Sequence, residues 1–394
     1  MKFKKEYITI LIILITEVLG FSLILPFLPF YAQQFGASPL DIGLVLASFS
    51  FFQFLSAPIL GKLSDKYGRK PLLIFSQLST FTGFIILGFA SSLKMIFLSR
   101  IVDGLFGSNF TIAQAYLSDI SSQKDRSKAF GISGVAFGFG FLIGPGIGGF
   151  LSRFGYALPS FLAAGISLLT MLIIYFFLPE TVERKKDIKI ELEIFHINTF
   201  KKFFSDKNLS SKLWQFFAYI SAFAIWVGSF ALYAQRQLGF DSVDMGYVLT
   251  YIGFISIIIR GFFLSKIIDL FGERKLQRVG MISIILGMVG TVFVTHWSLF
   301  LIIITLFSFG SGVLRPVMLG NISRNVSSEQ QGAILGTTNS LVSIAQIIGP
   351  LLGGFMINYF FPGSLGLLSA FVISIGLYLM IREEKNNLDA IKPY

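Results

Sequence analysis

The residues of this sequence best suited to chemistry are ionisable side chains inside long apolar stretches. Glu17 lies ten residues into the first stretch, about 15 Å along a helix and near the middle of a lipid bilayer. Arg100 and Asp103 lie in a later stretch, at a spacing that brings them together across one helical turn. An ionisable group at the centre of a bilayer costs about 2.5–3.5 kcal/mol on insertion scales, so such residues usually have a function. A buried carboxyl of this kind is suited to carry a proton.

Structural interpretations of these three residues remain open. Glu17 can be held neutral or paired so that it braces neighbouring helices, and Arg100 with Asp103 can form a purely structural pair. If a proton moves at Glu17 or Asp103 instead, the pairing of Arg100 changes, which can couple proton movement to a conformational change. Polar residues follow Asp103 at helical spacing and predict a stripe that faces the interior of a helix bundle: Gly107, Thr111, Gln114 and Ser118.

The elements that must position these residues are apolar helices. Apolar residues make up 54% of the chain and charged residues 13%, against about 25% charged residues in water-soluble domains. Most of the surface is therefore expected to face lipid. Twelve stretches have the roughly 20 apolar residues that a membrane-spanning helix needs. We number these predicted spans 1 to 12 in chain order: 7–31, 42–61, 71–91, 95–118, 128–151, 156–178, 213–236, 244–265, 276–295, 297–322, 331–358 and 364–382.

Basic residues indicate the orientation of the spans and exclude other classes of protein. Most of the 32 Lys and Arg residues lie in loops on one side, whereas the opposite loops contain only Lys94, Arg153 and Arg236. Cytoplasmic loops are enriched in Lys and Arg, so both termini are predicted in the cytoplasm and the chain in the cell membrane. The basic residues form no single stripe, so the net charge of +11 does not indicate nucleic acid. With no Cys and only two distant His residues, His196 and His296, no metal site is expected.

Internal repeats predict two related halves. Tyr31-Ala-Gln recurs as Tyr233-Ala-Gln, and Gly144-Pro-Gly-Ile-Gly-Gly recurs as Gly349-Pro-Leu-Leu-Gly-Gly. Parallel repeats with a binding site between them are typical of transporters, because rocking one half against the other exposes the site to each side in turn.

We therefore predict an all-α membrane protein of twelve helices in two pseudo-symmetric six-helix bundles. The N-terminal bundle covers 1–180, and the C-terminal bundle covers 213–394 and ends in a short cytoplasmic tail. Between them, 181–212 contains charges of both signs and is predicted to be a cytoplasmic linker that includes an amphipathic surface helix. We interpret the linker as a tether, with a regulatory role as the alternative.

The loop between spans 2 and 3 reads Gly61-Lys-Leu-Ser-Asp-Lys-Tyr-Gly-Arg-Lys-Pro71. Gly61 permits close approach of helices, Gly68 can take the left-handed conformation that ends a helix, and Pro71 suits the first helical turn. A tight cytoplasmic turn explains these residues and the basic ones, but it does not explain Asp65. An acid among bases can pair with a base or face a helix N-terminus, which forms a latch that holds one conformation closed.

Span 5 is rich in glycine. Gly140, Gly144 and Gly148 recur every four residues, and small residues at this spacing let helices approach closely in lipid. Pro145 removes a backbone donor and kinks the span. Tight packing alone explains this pattern. The functional interpretation adds a seal and hinge against span 11, where Pro350 mirrors Pro145.

The loop motif resembles the signature of the major facilitator superfamily, and further motifs extend the resemblance over the whole chain. Within the superfamily, the chain is most similar to the drug/proton antiporter branch, which includes tetracycline exporters. The other segments that carry the resemblance are the span-4 motif Arg100-Ile-Val-Asp-Gly104, the span-5 antiporter motif Gly138-Phe-Gly-Phe-Leu-Ile-Gly-Pro-Gly-Ile-Gly-Gly149, Leu178-Pro-Glu-Thr181 at the end of span 6, and two drug-exporter segments, Glu17-Val-Leu-Gly-Phe-Ser-Leu-Ile-Leu-Pro-Phe-Leu-Pro29 and Ala115-Tyr-Leu-Ser-Asp119.

The resemblance implies roles for several of these residues. Asp65, Arg69 and Asp119 would form the cytoplasmic latch together with the loop glycines Gly61 and Gly68, packed against the start of span 11. In the second half the corresponding charges are reversed, and whether they form a pair is open: Glu273 replaces Arg69 and Arg324 replaces Asp119. The antiporter motif implies export, and its residues are Gly140, Gly144, Pro145, Gly148 and Gly149.

The resemblance also implies a substrate cavity lined by spans 1, 4, 7 and 10. An apolar, aromatic cavity with few fixed charges suits an amphipathic organic molecule better than a sugar. Arg260 lies nearer the cytoplasmic end of its span and is expected to snorkel to the surface. The candidate substrate contacts are Phe21, Asn109, Phe110, Gln114, Tyr219, Trp226, Tyr233 and Arg315.

We expect a proton-coupled antiporter that exports an amphipathic drug-like compound or metabolite by alternating access, and that works as a monomer. It would be no enzyme and need no cofactor beyond the proton gradient; the sequence has no phosphate-binding Gly-x4-Gly-Lys-Ser/Thr loop for ATP. The alternatives are an uptake symporter for a sugar, organic acid or lipid-like metabolite and, from a different class, a non-transporting sensor. The tetracycline branch has additional acids in spans 3 and 9, and the apolar cores of these spans contain none here.

Overall fold

The computed structural model describes residues 5–121, 126–182, 197–327 and 330–389. Within these ranges the chain is helical with short connections and no β-strand, which confirms the predicted all-α fold. Residues 183–196 of the predicted linker and the basic residues Lys2, Lys4 and Lys124 lie outside the described residues. The linker helix is seen at Ile197–Ser205.

The first six spans form the N-terminal helices. Eleven helices in the described part of the chain are long and apolar enough to cross a membrane, and the two shorter helices of span 4 together provide the twelfth. The helices of spans 1 to 6 are Lys5–Ile24 with Leu28–Gln34, Pro39–Tyr67, Arg69–Gly88, Leu93–Phe106 with Asn109–Ile120, Arg126–Ser152, and Ala157–Phe177.

Span 4 is not the continuous helix that the sequence predicted. It is interrupted at Gly107 and Ser108, where Gly107 leaves the helical conformation (φ −82°, ψ +68°). The N–H of Gly107 still donates to the carbonyl of Asp103 at 2.7 Å, which closes the first helix. A Cβ atom at position 107 would lie 2.7 Å from Oδ1 of Asp103, so only glycine fits here. The predicted polar stripe is therefore divided between two helices.

The C-terminal helices include one unexpected distortion. Span 8 contains a π-helical turn at Ile259–Phe263, which inserts an additional residue into the helix. The predicted division between spans 9 and 10 near His296 is confirmed. The helices of spans 7 to 12 are Lys207–Leu238, Ser242–Ile258 continued by Leu264–Phe271, Glu273–Gly290, Trp297–Ser323, Gln331–Tyr359 and Ser364–Asp389.

Contacts divide the chain into two compact units. The segments that belong to each unit differ from those of the two halves predicted from the sequence. The first unit comprises Met1–Ser38, Ser48–Ile194 and Phe240–Phe254, and the second comprises the rest of the chain. The start of span 2, Pro39–Ala47, thus packs with the second unit, and the start of span 8 packs with the first. The first unit contains a largely aliphatic buried cluster, and the second contains a chain of aromatic rings in contact with one another.

Candidate functional site

Glu17 takes part in a hydrogen-bonded network that joins spans 1, 3 and 4. Nδ2 of Asn109 donates to Oε1 of Glu17 at 3.0 Å and to Oγ1 of Thr80 at 2.9 Å. The Thr80 hydroxyl in turn donates to Oδ1 of Asp103 at 2.8 Å. Thr80 and Asn109 therefore connect the two membrane carboxyls. Asn109, predicted as a substrate contact, is instead buried in this network.

Asp103 also lies beside Arg100, as the spacing predicted. Nη1 of Arg100 is 3.6 Å from Oδ2 of Asp103, and only 2% of the Arg100 side chain is exposed. The guanidinium lies 5.6 Å from the ring centroid of Phe84 and 6.0 Å from that of Phe49. Aromatic faces attract a cation, so the rings help to hold a charge that water does not reach.

The network contains buried polar atoms that have no hydrogen-bond partner among the described residues. These atoms are Oε2 of Glu17, Oδ1 of Asn109 and Nη2 of Arg100. A buried carboxylate with an unpartnered oxygen is costly when charged and less costly when it carries a proton. The geometry thus suits a carboxyl that takes up and releases a proton.

The three charged residues of the predicted latch lie together where span 2 ends, span 3 begins and span 4 ends. Arg69 contacts Asp65 through Nη2 at 2.5 Å and Asp119 through Nε at 2.8 Å. Its Nη1 donates to Ser64 Oγ at 2.6 Å. The predicted cluster is therefore confirmed. Gly61 differs from expectation, because a Cβ atom there would have no atom of the described residues within 4 Å, so no described helix approaches closely.

Glu180 belongs to the same cluster, a role that the sequence reading did not assign. Its carboxylate accepts hydrogen bonds from the backbone N–H groups of Arg69, at 2.8 Å, and Lys70, at 3.1 Å. It therefore satisfies free donors at the N-terminus of span 3 and complements the helix dipole. Gly68 has a φ of +106°, and a Cβ atom there would overlap the Glu180 carboxylate. The motif Leu178-Pro-Glu-Thr181 identified this segment in the sequence, but it did not show that Glu180 contacts the start of span 3.

The second half has its own polar cluster at the ends of its helices. Arg324 contacts Glu273, so the pair with reversed charges is confirmed. A further chain of bonds was not predicted: Nζ of Lys212 lies 2.9 Å from Oε1 of Glu383, and Nε2 of Gln215 donates to Oε2 of Glu383 at 2.7 Å. Gln277 of span 9 donates to Gln215 at 2.9 Å and accepts from Asn321 of span 10 at 3.3 Å, so this cluster connects spans 7, 9, 10 and 12.

The glycine stripe of span 5 packs against span 1, while the seal against span 11 stays a prediction. A Cβ atom at Gly140 would lie 2.6 Å from Val18, and one at Gly144 would overlap the side chain of Ser22. Ser22 Oγ donates to the carbonyl of Gly140 at 2.8 Å. Without side chains at these positions, span 5 lies directly on the helix that carries Glu17.

The opposite face of span 5 contacts the start of span 8. A Cβ atom at Gly149 would lie 2.8 Å from the Cα atom of Gly246, and Ser152 and Ser242 share a hydrogen bond of 2.7 Å. Span 11 packs against span 7, where a Cβ atom at Gly228 would lie 2.8 Å from Pro350. A glycine stripe predicts that a helix approaches closely, but it does not identify that helix.

The predicted aromatic substrate contacts of span 7 are buried. Trp226 and Tyr233 have no exposed surface, and the Tyr233 hydroxyl donates to the carbonyl of Thr291 at 2.7 Å. Tyr219 is 2% exposed, and its hydroxyl donates to the carbonyl of Ser311 at 3.3 Å. In this structure all three stabilise the C-terminal unit. The remaining candidates, which are partly or fully exposed, stay predictions: Phe21, Phe110, Gln114 and Arg315.

Arg260 does not snorkel, contrary to expectation. Its Nε donates to the carbonyl of Gly312 and its Nη2 to the carbonyl of Ser311, both at 3.3 Å. The π-helical turn, in which Arg260 is the second residue, directs the side chain toward span 10 rather than toward the cytoplasmic surface.

Comparison with known proteins agrees with this architecture. The Major Facilitator Superfamily model matches residues 10–297 and 261–392. The multidrug resistance protein 2 of Bacillus subtilis is 30% identical over 97% of both chains. The class B tetracycline resistance protein of Escherichia coli is 30% identical over 89% of this chain and 88% of its own.

Solved structures share the fold at lower identity. A human organic anion transporter has a TM-score of 0.73 at 21% identity and covers 95% of this chain and 99% of its own. A nucleoside transporter has a TM-score of 0.75 at 12% identity over 96% and 99%. The chain belongs to the major facilitator superfamily of membrane transporters.

Proposed function

We propose that this protein is a proton-driven antiporter that exports amphipathic small molecules across the cell membrane by alternating access. The relatives named as multidrug and tetracycline resistance proteins support export over uptake or sensing. The observation that carries proton coupling is the buried network that joins Glu17 to Asp103 and Arg100. The protein works as a monomer and needs no cofactor besides the proton gradient.

Proton uptake at Glu17 changes the bonds that its neighbours can make. The charged carboxylate accepts strongly from the Asn109 amide, and the neutral carboxyl accepts less strongly. Asn109 also donates to Thr80, and Thr80 donates to Asp103. A change in the bond between Asn109 and Glu17 therefore alters the hydrogen bonding of Asp103 and its pairing with Arg100. Span 5 contacts span 1 through glycines, so it is placed to follow a movement of the helix that carries Glu17.

The direct test is proton exchange by the purified protein in weakly buffered solution. Three naphthalene probes are added separately: a neutral methyl ester, the parent naphthylacetate, and naphthylmethyl-trimethylammonium. An antiporter releases protons when its substrate binds, a symporter takes them up, and a sensor binds with neither response. Release that disappears in Glu17→Gln supports the proposal. Proton uptake, or release that is unchanged in this variant, contradicts it.

The orientation is tested separately, because the chain contains no cysteine and accepts single reporters. A cysteine at Ser205 should react with an impermeant maleimide only from the cytoplasmic side, and one at Ser38 only from outside. The reverse pattern would show that the termini face away from the cytoplasm.

A further inference from the structure

The π-helical turn of span 8 creates a site that the proton network does not use. Regular helix ends at Ile258 and resumes at Leu264, with the five residues Ile259–Phe263 between them. Such turns are rare and often occur at functional sites. Here the turn holds the guanidinium of Arg260 against the backbone of span 10, where it bonds two successive carbonyls.

Pro316 explains why a carbonyl of span 10 is available to Arg260. In an α-helix the carbonyl of Gly312 would accept the N–H of residue 316, but proline has none. Nε of Arg260 donates to the Gly312 carbonyl in place of the missing N–H, at 3.3 Å. The carbonyl of Ser311 also accepts the Tyr219 hydroxyl, so spans 7, 8 and 10 meet at this point. Arg260 is therefore fixed in place.

Arg260 still has unused donors, and a second cation lies near it. A guanidinium has five N–H groups, and the two bonds to span 10 leave its Nη1 edge free. Arg315 follows Ser311 by one turn of the same helix, which places it on the face of span 10 that Arg260 contacts, and both side chains are exposed. Among the described residues, neither arginine forms an ion pair.

The two arginines thus contrast with Arg100 in the first unit, which lies beside Asp103. Span 10 contains no Asp or Glu, and span 8 has acids only near its ends, at Asp244 and Asp269. Two membrane cations without an acid are unfavourable unless a counter-charge is supplied. A ligand with an acidic group supplies that charge, and planar guanidinium groups bind such oxygens in pairs.

An aromatic surface adjoins the two cations. The ring of Tyr219, whose hydroxyl shares the Ser311 carbonyl with Arg260, lies 6.3 Å from that of Phe223. Phe223 is half-buried and stacks on Phe307 at 5.7 Å. The site therefore combines paired cations with an apolar face, and this combination fits a molecule that has an acid at one end and a ring or chain at the other.

We propose that Arg260 and Arg315 bind the acidic group of an amphipathic organic anion, the substrate class of this transporter. This inference rests on the proposed export function. It specifies in addition that the exported molecule carries a negative charge. Tyr219 acts as a positioning residue, because it holds the Ser311 carbonyl that anchors Arg260.

Binding of charge-matched probes tests the assignment. Naphthylacetate and naphthylmethyl-trimethylammonium share a ring and differ in the sign of their charge. We expect the wild-type protein in phosphatidylcholine nanodiscs to bind the anion at least tenfold more tightly than the cation, as measured by equilibrium dialysis. Arg260→Gln and Arg315→Gln should each lower affinity for the anion at least tenfold, whereas Arg260→Lys should retain part of it.

Two controls separate lost binding from lost folding. Arg153→Gln removes an arginine on a connecting loop and should leave the anion affinity unchanged, and Arg315→Gln, which leaves the bonds of Arg260 to span 10 in place, should keep the unfolding temperature of the wild type. Equal affinity for both probes, or full affinity in Arg260→Gln, overturns the inference. If the cation or the ester still causes proton release, the export function stands and only the anion assignment fails. If no probe causes proton release, the export function itself fails, whatever the binding result.

Discussion

Asn109 donates a hydrogen bond to Glu17 from the first position of the second helix of span 4, immediately after the interruption at Gly107 and Ser108. The interruption matters because it brings an amide side chain to a carboxyl on another span. Asn109 thereby links the carboxyl best placed to carry a proton to the polar residues of spans 3 and 4. The following predictions test this link and the elements around it.

Glu17→Gln should abolish uphill transport while retaining the fold. The glutamine has the shape of a protonated carboxyl but cannot titrate. We expect accumulation driven by a pH gradient in proteoliposomes to disappear, while downhill exchange continues without pH dependence. The unfolding temperature should be equal or higher, because a buried ionisable group is removed. Glu17→Asp should keep partial coupling, and Glu6→Gln, in the first turn of the same helix, should behave as wild type. Full accumulation in Glu17→Gln would assign the proton to Asp103.

Asn109→Ala should break the hydrogen-bonded connection between Glu17 and Thr80 without removing a charge. Loss of two buried hydrogen bonds is expected to lower the free energy of unfolding by about 1–3 kcal/mol. The pH at which transport is half-maximal should shift, because Glu17 loses its donor. Transport assays at several pH values measure this shift. A Thr111→Ala variant, which alters an exposed residue of the same helix, is the control. If only the transport rate falls and the pH profile does not move, Asn109 has a structural role alone.

Asp65→Asn should reduce transport several-fold while expression stays near normal. The side chain is half-exposed, so the fold loses little, but Arg69 loses one of its two acidic partners. We expect the variant to favour the state in which the cytoplasmic side is open. Accessibility of a cysteine placed on the cytoplasmic side should therefore increase. Unchanged transport and accessibility would show that this loop is only a tight turn. Contact of the latch with the start of span 11 remains a prediction.

Gly144→Ala should be far more damaging than Gly165→Ala. A Cβ atom at 144 would overlap Ser22 of span 1, whereas one at 165 would meet nothing within 4 Å. Overpacking of this kind typically lowers stability by about 1–3 kcal/mol. Thermal unfolding of both variants measures the difference, and a Gly144→Ala, Ser22→Gly double variant should recover part of the loss. Equal behaviour of the two alanine variants would show that span 5 does not require close contact with span 1.

Much of this architecture could be predicted because it depends on strong local signals. Spans follow from the length of apolar runs, and the Arg100–Asp103 pair follows from helical spacing. Thr80 was missed because a threonine in an apolar helix usually bonds its own backbone, so its type does not reveal a partner on another span. The sequence did not predict the interruption of span 4, because polar residues recur at helical spacing on both sides of it.

Contacts between distant segments were the least predictable. The glycines of span 5 indicated close approach, yet the choice between span 1 and span 11 depends on the tertiary fold. Arg260 was expected to reach the surface because its distance from the end of the span permits this. The π-helical turn and Pro316 together redirect it, and neither effect is visible in the hydrophobic pattern.

The unequal distribution of membrane charges between the repeats has an evolutionary consequence. A duplicated chain begins with two equivalent halves, but here the acids lie with Arg100 in one repeat, while Arg260 and Arg315 stand without acids in the other. If Glu17 carries the proton and the two arginines bind the substrate, as we propose, selection can alter the second repeat to accept new compounds while proton coupling in the first is left intact. Variants isolated under selection for altered export should accumulate substitutions in spans 7, 8 and 10, whereas Glu17, Thr80 and Asn109 persist.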